Sequence, residues 1–365
     1  MRRKASFNLA GTFVEPLFAA LHLSLFWSSL PQFTSNINLS GLIRKKEEST
    51  MRTLTFGFAK HQVPILLDLC LPDASSSSSP LPIFIWWHGG GLIPGARQAM
   101  APHLERAVDK YNIAVISTDY RLAPQVCVPD IQQDMVDCFS YVIEKLPSEL
   151  VARGDAAKLD TDRIMLSGSS AGGWQSLMVE MGMCAGRKTE HLKKVKGIAA
   201  IYPITTMDHP FFLEKQVPFG GMLKDNPDSY AEFRDPNAPV TANTAAVEHR
   251  KKFYMHAQQE ALFPSLLFAQ QQRDDGWFQK TDVVTFLRGS TEEQRRSLPP
   301  VYIVHGEKDS AVDVDHARRL EKALKGVGTP VVYDEVPGGT TCGTKLEPEE
   351  NMEALWGWTL KTIRA

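Results

Sequence analysis

A serine between glycines is the first feature of this sequence that could do chemistry. Gly168-Ser169-Ser170-Ala171-Gly172 joins an apolar run to a helical pattern that begins at Ala171. Glycines at this spacing permit a sharp strand-to-helix turn that exposes a strained serine, at a helix N-terminus that favours developing negative charge. The pattern predicts that Ser170 is a nucleophile. The alternative is a Gly/Ser loop that only begins a helix.

A second glycine-rich stretch, His88-Gly89-Gly90-Gly91, follows an earlier apolar run. Glycines let the backbone approach a substrate oxygen, so that N–H groups can stabilise an oxyanion. The residue after the nucleophile, Ala171, is the usual second source of such an N–H. The order and spacing of the two motifs favour an oxyanion hole formed by residues 88–91 and Ala171 over a simple glycine turn.

Apolar runs that alternate with helical patterns must position these motifs. Strands are predicted at 53–59 and 63–71 as a hairpin, and then within 81–91, a run that ends in glycines, and at 112–120, 162–170, 195–204, 299–309 and 330–339. Helices are predicted at 97–111, 129–146, 171–184, 314–326 and 350–363. This alternation predicts an α/β fold with a mostly parallel central sheet flanked by helices.

The alternation stops between residue 205 and about residue 297, where the sequence is mixed and helix-leaning. A stretch of this length is too long for a plain connection. We call it the helical insertion and predict a cap over the carboxyl ends of the strands, where open α/β sheets bind ligands. Residues 51–365 then form one domain that contains this cap.

Residues 1–50 form an N-terminal extension of different character. A basic start, MRRK, precedes an apolar run at 17–30, which resembles a targeting or anchor segment. Glu15, Pro16 and His22 limit that run, which is short of the roughly 20 clean residues of a spanning helix. The alternative is that Met51 is the natural start. We predict a cytoplasmic protein, with secretion or membrane association through this extension as the alternative.

The composition and net charge of the chain limit the kinds of partner that it is expected to bind. The chain has 365 residues, 43% of them hydrophobic, and a net charge of −2. A near-neutral chain gives no reason to expect nucleic acid, so the predicted partner is a small-molecule substrate, with membrane contact only through residues 1–50. No cofactor and no metal ion are predicted, and the oligomeric state is left open. Scattered cysteines without metal spacing predict reduced, buried thiols: Cys70, Cys127, Cys138, Cys184 and Cys342.

Three motifs in order carry a family resemblance: HGGG at 88–91, DYRLAP at 119–124 and GSSAGG at 168–173. They resemble the hormone-sensitive-lipase-like branch of the α/β-hydrolase superfamily, over roughly residues 53 to 363. The segment YMHAQQEALFPSLL is similar to fungal members, many of which serve in secondary metabolism. The resemblance implies a carboxylic ester hydrolase. One departure is Ser169, where the branch usually has Asp.

The resemblance also implies a catalytic acid after a late strand, and Asp309 in VYIVHGEKDSAVD stands at that position. Such a carboxylate orients the histidine base and stabilises its charged form. Asp313 is the fallback, although helix N-capping is its expected role. Glu307 is interpreted as a solvated loop charge and His305 as a structural residue of the strand end.

The base is missing from its expected place. The family's histidine should lie about thirty residues after the acid, where this chain has Thr341, with Cys342 beside it, and no histidine follows His316. Four explanations remain open: His316 substitutes, Cys342 acts as the base, the sequence contains an error near its C-terminus, or the triad is broken. A thiol with a pKa near 8.5 is a poor general base.

Two functions follow. The first is a serine-hydrolase-type enzyme that acts on a small apolar ester or lactone, with a role in secondary-metabolite biosynthesis. The second is a catalytically impaired member that binds a small molecule or acts as a non-hydrolytic lyase or cyclase. Loss of the base can cost about a million-fold in turnover, whereas an oxyanion hole and pocket alone retain about 10³–10⁴ over water.

Overall fold

A single eight-stranded sheet forms the centre of the domain. The computed structural model describes residues 51–73, 79–218, 221–340 and 352–364. The predicted extension at 1–50 lies outside them, as do Thr341 and Cys342. The strands are β1 (Arg52–Lys60), β2 (Pro64–Leu71), β3 (Leu81–Trp87), β4 (Ala114–Thr118), β5 (Leu159–Ser169), β6 (Val195–Ile201), β7 (Val301–Gly306) and β8 (Val331–Val336).

The strand order is β1-β2-β4-β3-β5-β6-β7-β8. β1 and β2 pair antiparallel, with Arg52 opposite Leu71, and β2 pairs antiparallel with β4. Every later pairing is parallel. The predicted hairpin and the predicted mostly parallel sheet are both confirmed.

Helices follow most of the parallel strands. Those of the described residues are α1 (Pro102–Tyr111), α2 (Val128–Glu144), α3 (Leu146–Ala152), α4 (Ala171–Met181), α5 (Thr189–Leu192), α6 (Pro210–Leu213), α7 (Ala231–Arg234), α8 (Glu248–Gln259), α9 (Phe263–Leu267), α10 (Gln270–Asp274), α11 (Trp277–Thr281), α12 (Val283–Gly289), α13 (Glu292–Ser297), α14 (Asp315–Gly326) and α15 (Glu353–Ile363). Two short 3₁₀ turns, Arg97–Ala99 and Pro227–Tyr230, complete the set.

The central strands are buried on both faces, which explains their unbroken apolar sequences. Every residue of β3 and β4 is buried. Successive side chains of β3 enter different cores: Ile83, Ile85 and Trp87 join one cluster, whereas Phe84 and Trp86 join the other. The first core includes residues of α2 and α4, and the second includes residues of α1 and α15.

One predicted helix differs from the structure. The pattern at 97–111 predicts one helix, but the chain forms a 3₁₀ turn and then begins α1 at Pro102. Proline disfavours helical backbone at the residue before it, and its fixed φ suits the first helical position. Ala101 accordingly has an extended conformation with φ −73° and ψ 147°.

Between β6 and β7 the described chain forms helices α6 to α13 and no strand, in agreement with the pattern of the helical insertion. The start of the insertion is held against a later part of it, because the N–H of Val283 donates a hydrogen bond to the carbonyl of Thr205 at 3.0 Å. Among the described helices, none has the length and apolar character needed to cross a bilayer. The four described cysteines are free.

Candidate active site

Ser170 occupies a strained turn between β5 and α4. Its φ of 57° and ψ of −118° lie outside the usual regions for a side-chain-bearing residue, and such a conformation costs about 1–3 kcal/mol. The turn is held because the Ser170 N–H donates to the carbonyl of Ile201 at 2.9 Å and the Trp174 N–H donates to the carbonyl of Ser170 at 3.1 Å. The predicted strand-turn-helix context of Ser170 is therefore present.

Close packing at this turn requires glycine. A methyl group at Gly172 would lie 2.1 Å from the carbonyl oxygen of Trp87, so no other residue fits without displacing β3. The N-terminus of α4 is thereby pressed against the end of β3, where the glycine loop (residues 88–91) begins. The first N–H groups of a helix have no acceptor within it, so those of α4 are directed toward this junction.

The glycine loop passes directly beside Ser170. A methyl group at Gly89 would lie 3.2 Å from Ser170 Cβ. Gly90 and Gly91 have φ values of +103° and +59°, and the Ile93 N–H closes the loop by donating to the carbonyl of Gly90 at 3.0 Å. The backbone of this loop therefore lies within reach of a group bound to the serine.

His88 anchors the start of the loop. Its buried ring stacks on Tyr120 with centroids 4.1 Å apart, and the Tyr120 hydroxyl donates to the His88 carbonyl at 2.8 Å. Nδ1 of His88 lies 2.8 Å from the carbonyl oxygen of Gly89, so Nδ1 carries the proton in this contact. Burial raises the pKa of Tyr120 well above its usual value, which keeps this hydroxyl a donor. The DYRLAP motif at 119–124 is the sequence signal for Tyr120.

Ser170 opens onto a cavity of about 660 Å³, a volume in the range of small-molecule sites. Its lining comes from the glycine loop and the segment after it, from the ends of β5, β6 and β7, and from the helical insertion. The lining residues are His88, Gly89, Gly90, Pro94, Gly95, Ala96, Gln98, Ala99, Ser170, Tyr202, Thr244, Ala245, Glu248, Lys251, Tyr254, Met255 and Ala311. Most of this surface is apolar.

The structure brings most of the predicted oxyanion residues to this cavity. His88, Gly89 and Gly90 line it together with Ser170. Gly91 instead faces the helical insertion, and Ala171 is buried as the first residue of α4. Their role as donors to an oxyanion stays a prediction.

Asp309 lies in the turn after β7 with a buried side chain. Its Oδ1 accepts hydrogen bonds from the N–H groups of Ala311 at 2.8 Å and Val312 at 2.9 Å. Ala311 also lines the cavity. The carboxylate is therefore fixed by its own turn just behind the cavity wall.

His305 braces the same turn. Its Nε2 donates to the carbonyl of Val312 at 3.0 Å and lies 3.4 Å from Oδ2 of Asp309. The ring is fully buried and meets Tyr202 edge-on, with centroids 6.3 Å apart. These contacts agree with the structural role predicted for His305.

The two other acidic residues of this region make local contacts. Oδ1 of Asp313 accepts from the Asp315 N–H at 2.9 Å, but the N-cap of α14 is Val314, so Asp313 lies one residue before the capping position predicted for it. Glu307 is exposed, as predicted, but its Oε2 also accepts from the Gly338 N–H at 2.8 Å. No sequence pattern predicts this second contact.

The loop in which the family's histidine is expected begins beside Asp309. The Lys308 N–H donates to the carbonyl of Gly339 at 2.8 Å, and the Glu307 N–H donates to the carbonyl of Val336 at 3.0 Å. A methyl group at Gly306 would lie 3.1 Å from the backbone N of Thr340. Residues up to 340 thus run alongside the turn of Asp309, and Thr341 follows.

His316 does not line the cavity. It is fully buried, with Nδ1 2.9 Å from Oγ1 of Thr205 and its ring 4.4 Å from that of His209. Burial, followed by nearby charges, lowers the pKa of His316 well below its usual value. The alternative in which His316 replaces the missing base therefore gains no support.

One cluster of the described residues has the spacing of metal ligands: His61, Asp134 and Asp137. Asp134 is already bound by Arg121, whose Nε and Nη2 lie 2.9 and 2.8 Å from Oδ1. None of these residues lines the cavity. The cluster joins the turn between β1 and β2, which holds His61, to Asp134 and Asp137 of α2.

Comparison with known proteins adds a family model, described as alpha/beta hydrolase fold, that matches residues 84–342. Versiconal hemiacetal acetate esterase from Dothistroma septosporum is 26% identical over 296 residues, which cover 78% of this chain and 75% of that protein. Tuliposide A-converting enzyme 2 from Tulipa gesneriana is 29% identical over 160 residues, or 43% of this chain and 37% of that enzyme.

A third relative is much longer. Non-reducing polyketide synthase ausA from Aspergillus calidoustus is 23% identical over 312 residues, which are 76% of this chain but 12% of that protein. The chain thus spans a minor part of the polyketide synthase and of the tulip enzyme.

Solved structures share the fold. Pyrobaculum calidifontis esterase superposes with a TM-score of 0.56 and 20% identity, covering 86% of this chain and 85% of that one. Carboxyl esterase 2 from Tuber melanosporum gives 0.57 and 16%, covering 88% and 89%. At these identities the likeness establishes the architecture alone.

Proposed function

Since the chain belongs to the α/β-hydrolase fold family, we propose that it is a serine-hydrolase-type enzyme that acts on a small apolar ester or lactone. The observation that carries the proposal is the strained Ser170 at the floor of an apolar cavity, with the glycine loop against it. Strain of this kind persists only where the surrounding structure holds it, and it concentrates at functional sites.

In the proposed reaction Ser170 Oγ attacks the substrate carbonyl carbon. The developing oxyanion is stabilised by the backbone N–H groups of Gly90, Gly91 and Ala171. The close approach of Gly89 to Ser170 Cβ supports this arrangement, because it brings the glycine loop within reach of the reacting carbon. Fixed backbone donors of this type are worth about 10²–10³ in turnover for each donor.

Asp309 is the proposed acid. Two backbone N–H groups and His305 fix its carboxylate before any substrate binds. It would orient a base supplied from the loop that passes beside it, where Thr341 stands in this sequence. Threonine has no basic nitrogen, so proton removal from Ser170 is the weak step of the proposed mechanism.

The apolar lining is the basis for the proposed substrate class. A mostly apolar cavity favours an uncharged acyl or lactone group, with few polar groups to orient it. The similarity to versiconal hemiacetal acetate esterase supports ester hydrolysis, and similarity to that esterase and to a polyketide synthase supports a role in secondary metabolism.

The threonine at position 341, where the family has histidine, favours a second candidate function. A chain with a formed cavity and glycine loop but no histidine after His316 can bind the same ligands without hydrolysing them, or catalyse an elimination or cyclisation that needs only positioning and oxyanion stabilisation. In this candidate Ser170 contacts the ligand but forms no acyl intermediate.

Turnover of short p-nitrophenyl esters separates the two candidates. If the protein is a hydrolase, we expect release of p-nitrophenol that is lost in Ser170→Ala and retained in Ser169→Ala. Ser169 is the matched control because its hydroxyl accepts a hydrogen bond from Trp86 Nε1 at 3.1 Å. Absence of turnover, together with a rise in melting temperature on adding an apolar ester, would favour the binder.

A further inference from the structure

Arg250, on α8 of the helical insertion, is buried with 5% of its surface exposed. Its Nε donates a hydrogen bond to the carbonyl of Ile93 at 2.9 Å. Its Nη2 donates to the carbonyl of Ala123 at 2.7 Å and to Oε1 of Gln125 at 2.8 Å. One side chain of the insertion therefore binds two separate loops of the sheet domain.

All three acceptors are uncharged. Among the described ion pairs none involves Arg250, and burial lowers the pKa of its guanidinium to about 10. A buried cation without a counter-ion is costly and needs its hydrogen bonds. The planar fork of arginine can hold carbonyls of two loops at once, which a lysine ammonium does less well.

One of these loops contains the glycines proposed to bind the oxyanion, and the other is hydrogen-bonded to it. Ile93 closes the glycine loop through its N–H, which donates to the carbonyl of Gly90 at 3.0 Å. The Ala123 N–H donates to the carbonyl of Leu92 at 2.9 Å. Arg250 thus binds the glycine loop at Ile93, on the side of the loop away from Ser170.

The same helix forms a wall of the cavity. Arg250, Phe253 and Ala257 are buried at helical spacing on one side of α8. Another side lines the cavity through Glu248, Lys251, Tyr254 and Met255. The contact with the loop is tight, because a methyl group at Gly91 would lie 2.8 Å from Tyr254 Cε2.

We propose that Arg250 is a positioning residue that fixes the glycine loop to α8, so that the wall which contacts the ligand also sets the position of the oxyanion-binding N–H groups. The catalytic consequence rests on the proposed hydrolase function, whereas the coupling of loop and helix does not. Displacement of reacting groups by about 1 Å can cost about 100-fold in rate.

Three variants test the proposal: Arg250→Gln, Arg250→Lys and, as the matched control, Lys252→Gln on the exposed side of the same helix. Hydrogen exchange followed by peptide mass spectrometry reports on residues 88–95 and 119–126 without requiring activity. We expect hydrogen exchange in both loops to be at least about tenfold faster in Arg250→Gln than in the wild type. Loss of a hydrogen bond to a charged donor lowers the free energy of local opening by enough to change the exchange rate by about this factor. Arg250→Lys should be intermediate, and Lys252→Gln should match the wild type.

Turnover of a p-nitrophenyl ester is measured on the same variants. Arg250→Gln should lower kcat by about 10- to 100-fold with little change in KM, with partial rescue in Arg250→Lys. Two results would overturn the proposal. One is an exchange rate in residues 88–95 of Arg250→Gln that equals the wild-type rate, and the other is faster exchange spread evenly over the chain in both Arg250 variants. If the wild type shows no turnover but Arg250→Gln shows faster exchange confined to the two loops, the positioning role of Arg250 stands and only the hydrolase proposal is overturned.

Discussion

The Lys308 N–H donates a hydrogen bond to the carbonyl of Gly339 at 2.8 Å. This contact joins the turn of Asp309 to the loop that follows β8, two residues before Thr341. The proposed acid and the described part of this loop, through Gly339, are therefore brought together by backbone hydrogen bonds, and the position where the histidine is expected follows two residues later in the sequence.

Restoring a base should restore hydrolysis. Thr341→His is expected to raise kcat for a short p-nitrophenyl ester by about 100-fold or more, since general base catalysis is worth about 10²–10⁴. Because the base must be neutral, the gained activity should rise with pH through about 6.5, the usual pKa of histidine. Thr340→His is the control, and an equal gain in both variants would argue against the assigned register.

The wall formed by α8 should set the accepted acyl length. Tyr254 lines the cavity and packs edge-on against Phe263, with centroids 5.4 Å apart. Tyr254→Ala enlarges the cavity and should raise the ratio of kcat/KM for octanoate over acetate esters by about tenfold, in the range of pocket discrimination between chain lengths. Tyr111→Ala, on α1, serves as the control, and an unchanged ratio would show that this wall does not contact the acyl group.

Two glycines should respond to alanine in opposite directions. Gly172→Ala places a methyl group 2.1 Å from the Trp87 carbonyl oxygen and should lower the free energy of unfolding by about 1–3 kcal/mol. Gly357, within α15, has no atom within 4 Å of such a methyl group. Gly357→Ala should raise that free energy by about 0.5–1 kcal/mol through helix propensity. Urea denaturation measures both, and a stable Gly172→Ala would contradict the tight junction of α4 with β3.

Acid should destabilise the fold through His316. Burial lowers its pKa well below 6.5, so the unfolded chain takes up this proton first as the pH falls. The destabilisation that His316 causes is absent above about pH 6.5. Below that pH it lowers the free energy of unfolding by about 1.4 kcal/mol per pH unit, until the lowered pKa of the folded state is reached. His316→Asn retains an acceptor for Thr205 and should flatten the dependence of unfolding free energy on pH between 6.5 and 5. Equal slopes in the two proteins would contradict a buried neutral ring.

The strands and the serine turn could be predicted because their physical causes are local. The apolar run of β3 is continuous because helices cover both faces of the sheet. Gly168 is required by its contact with Gly172, four residues later in the same turn, although Gly172 is also limited by the distant Trp87. The break before α1 was missed because the helical periodicity at 97–111 hides the effect of Pro102.

The contacts of the helical insertion could not be predicted, because they depend on residues distant in sequence. Arg250 lies in the polar run HRKKFYMH of the mixed, helix-leaning insertion, yet its side chain is buried and its hydrogen-bond acceptors are more than 120 residues away in sequence. Its three partners are two carbonyls and an amide, and no composition signal marks them. The seven-residue α12 and the shorter helices around it likewise owe their positions to tertiary packing.

Covalent labelling of Ser170 by a fluorophosphonate, read by peptide mass spectrometry, tests directly whether Ser170 is a nucleophile. Because phosphonylation uses the same nucleophile and oxyanion donors as ester attack, we expect one adduct per chain, on the peptide that contains Ser170, and none in Ser170→Ala. Thr341→His should accelerate labelling. An unlabelled Ser170 in both the wild type and Thr341→His, with the protein folded, would contradict the assignment of Ser170 as a nucleophile.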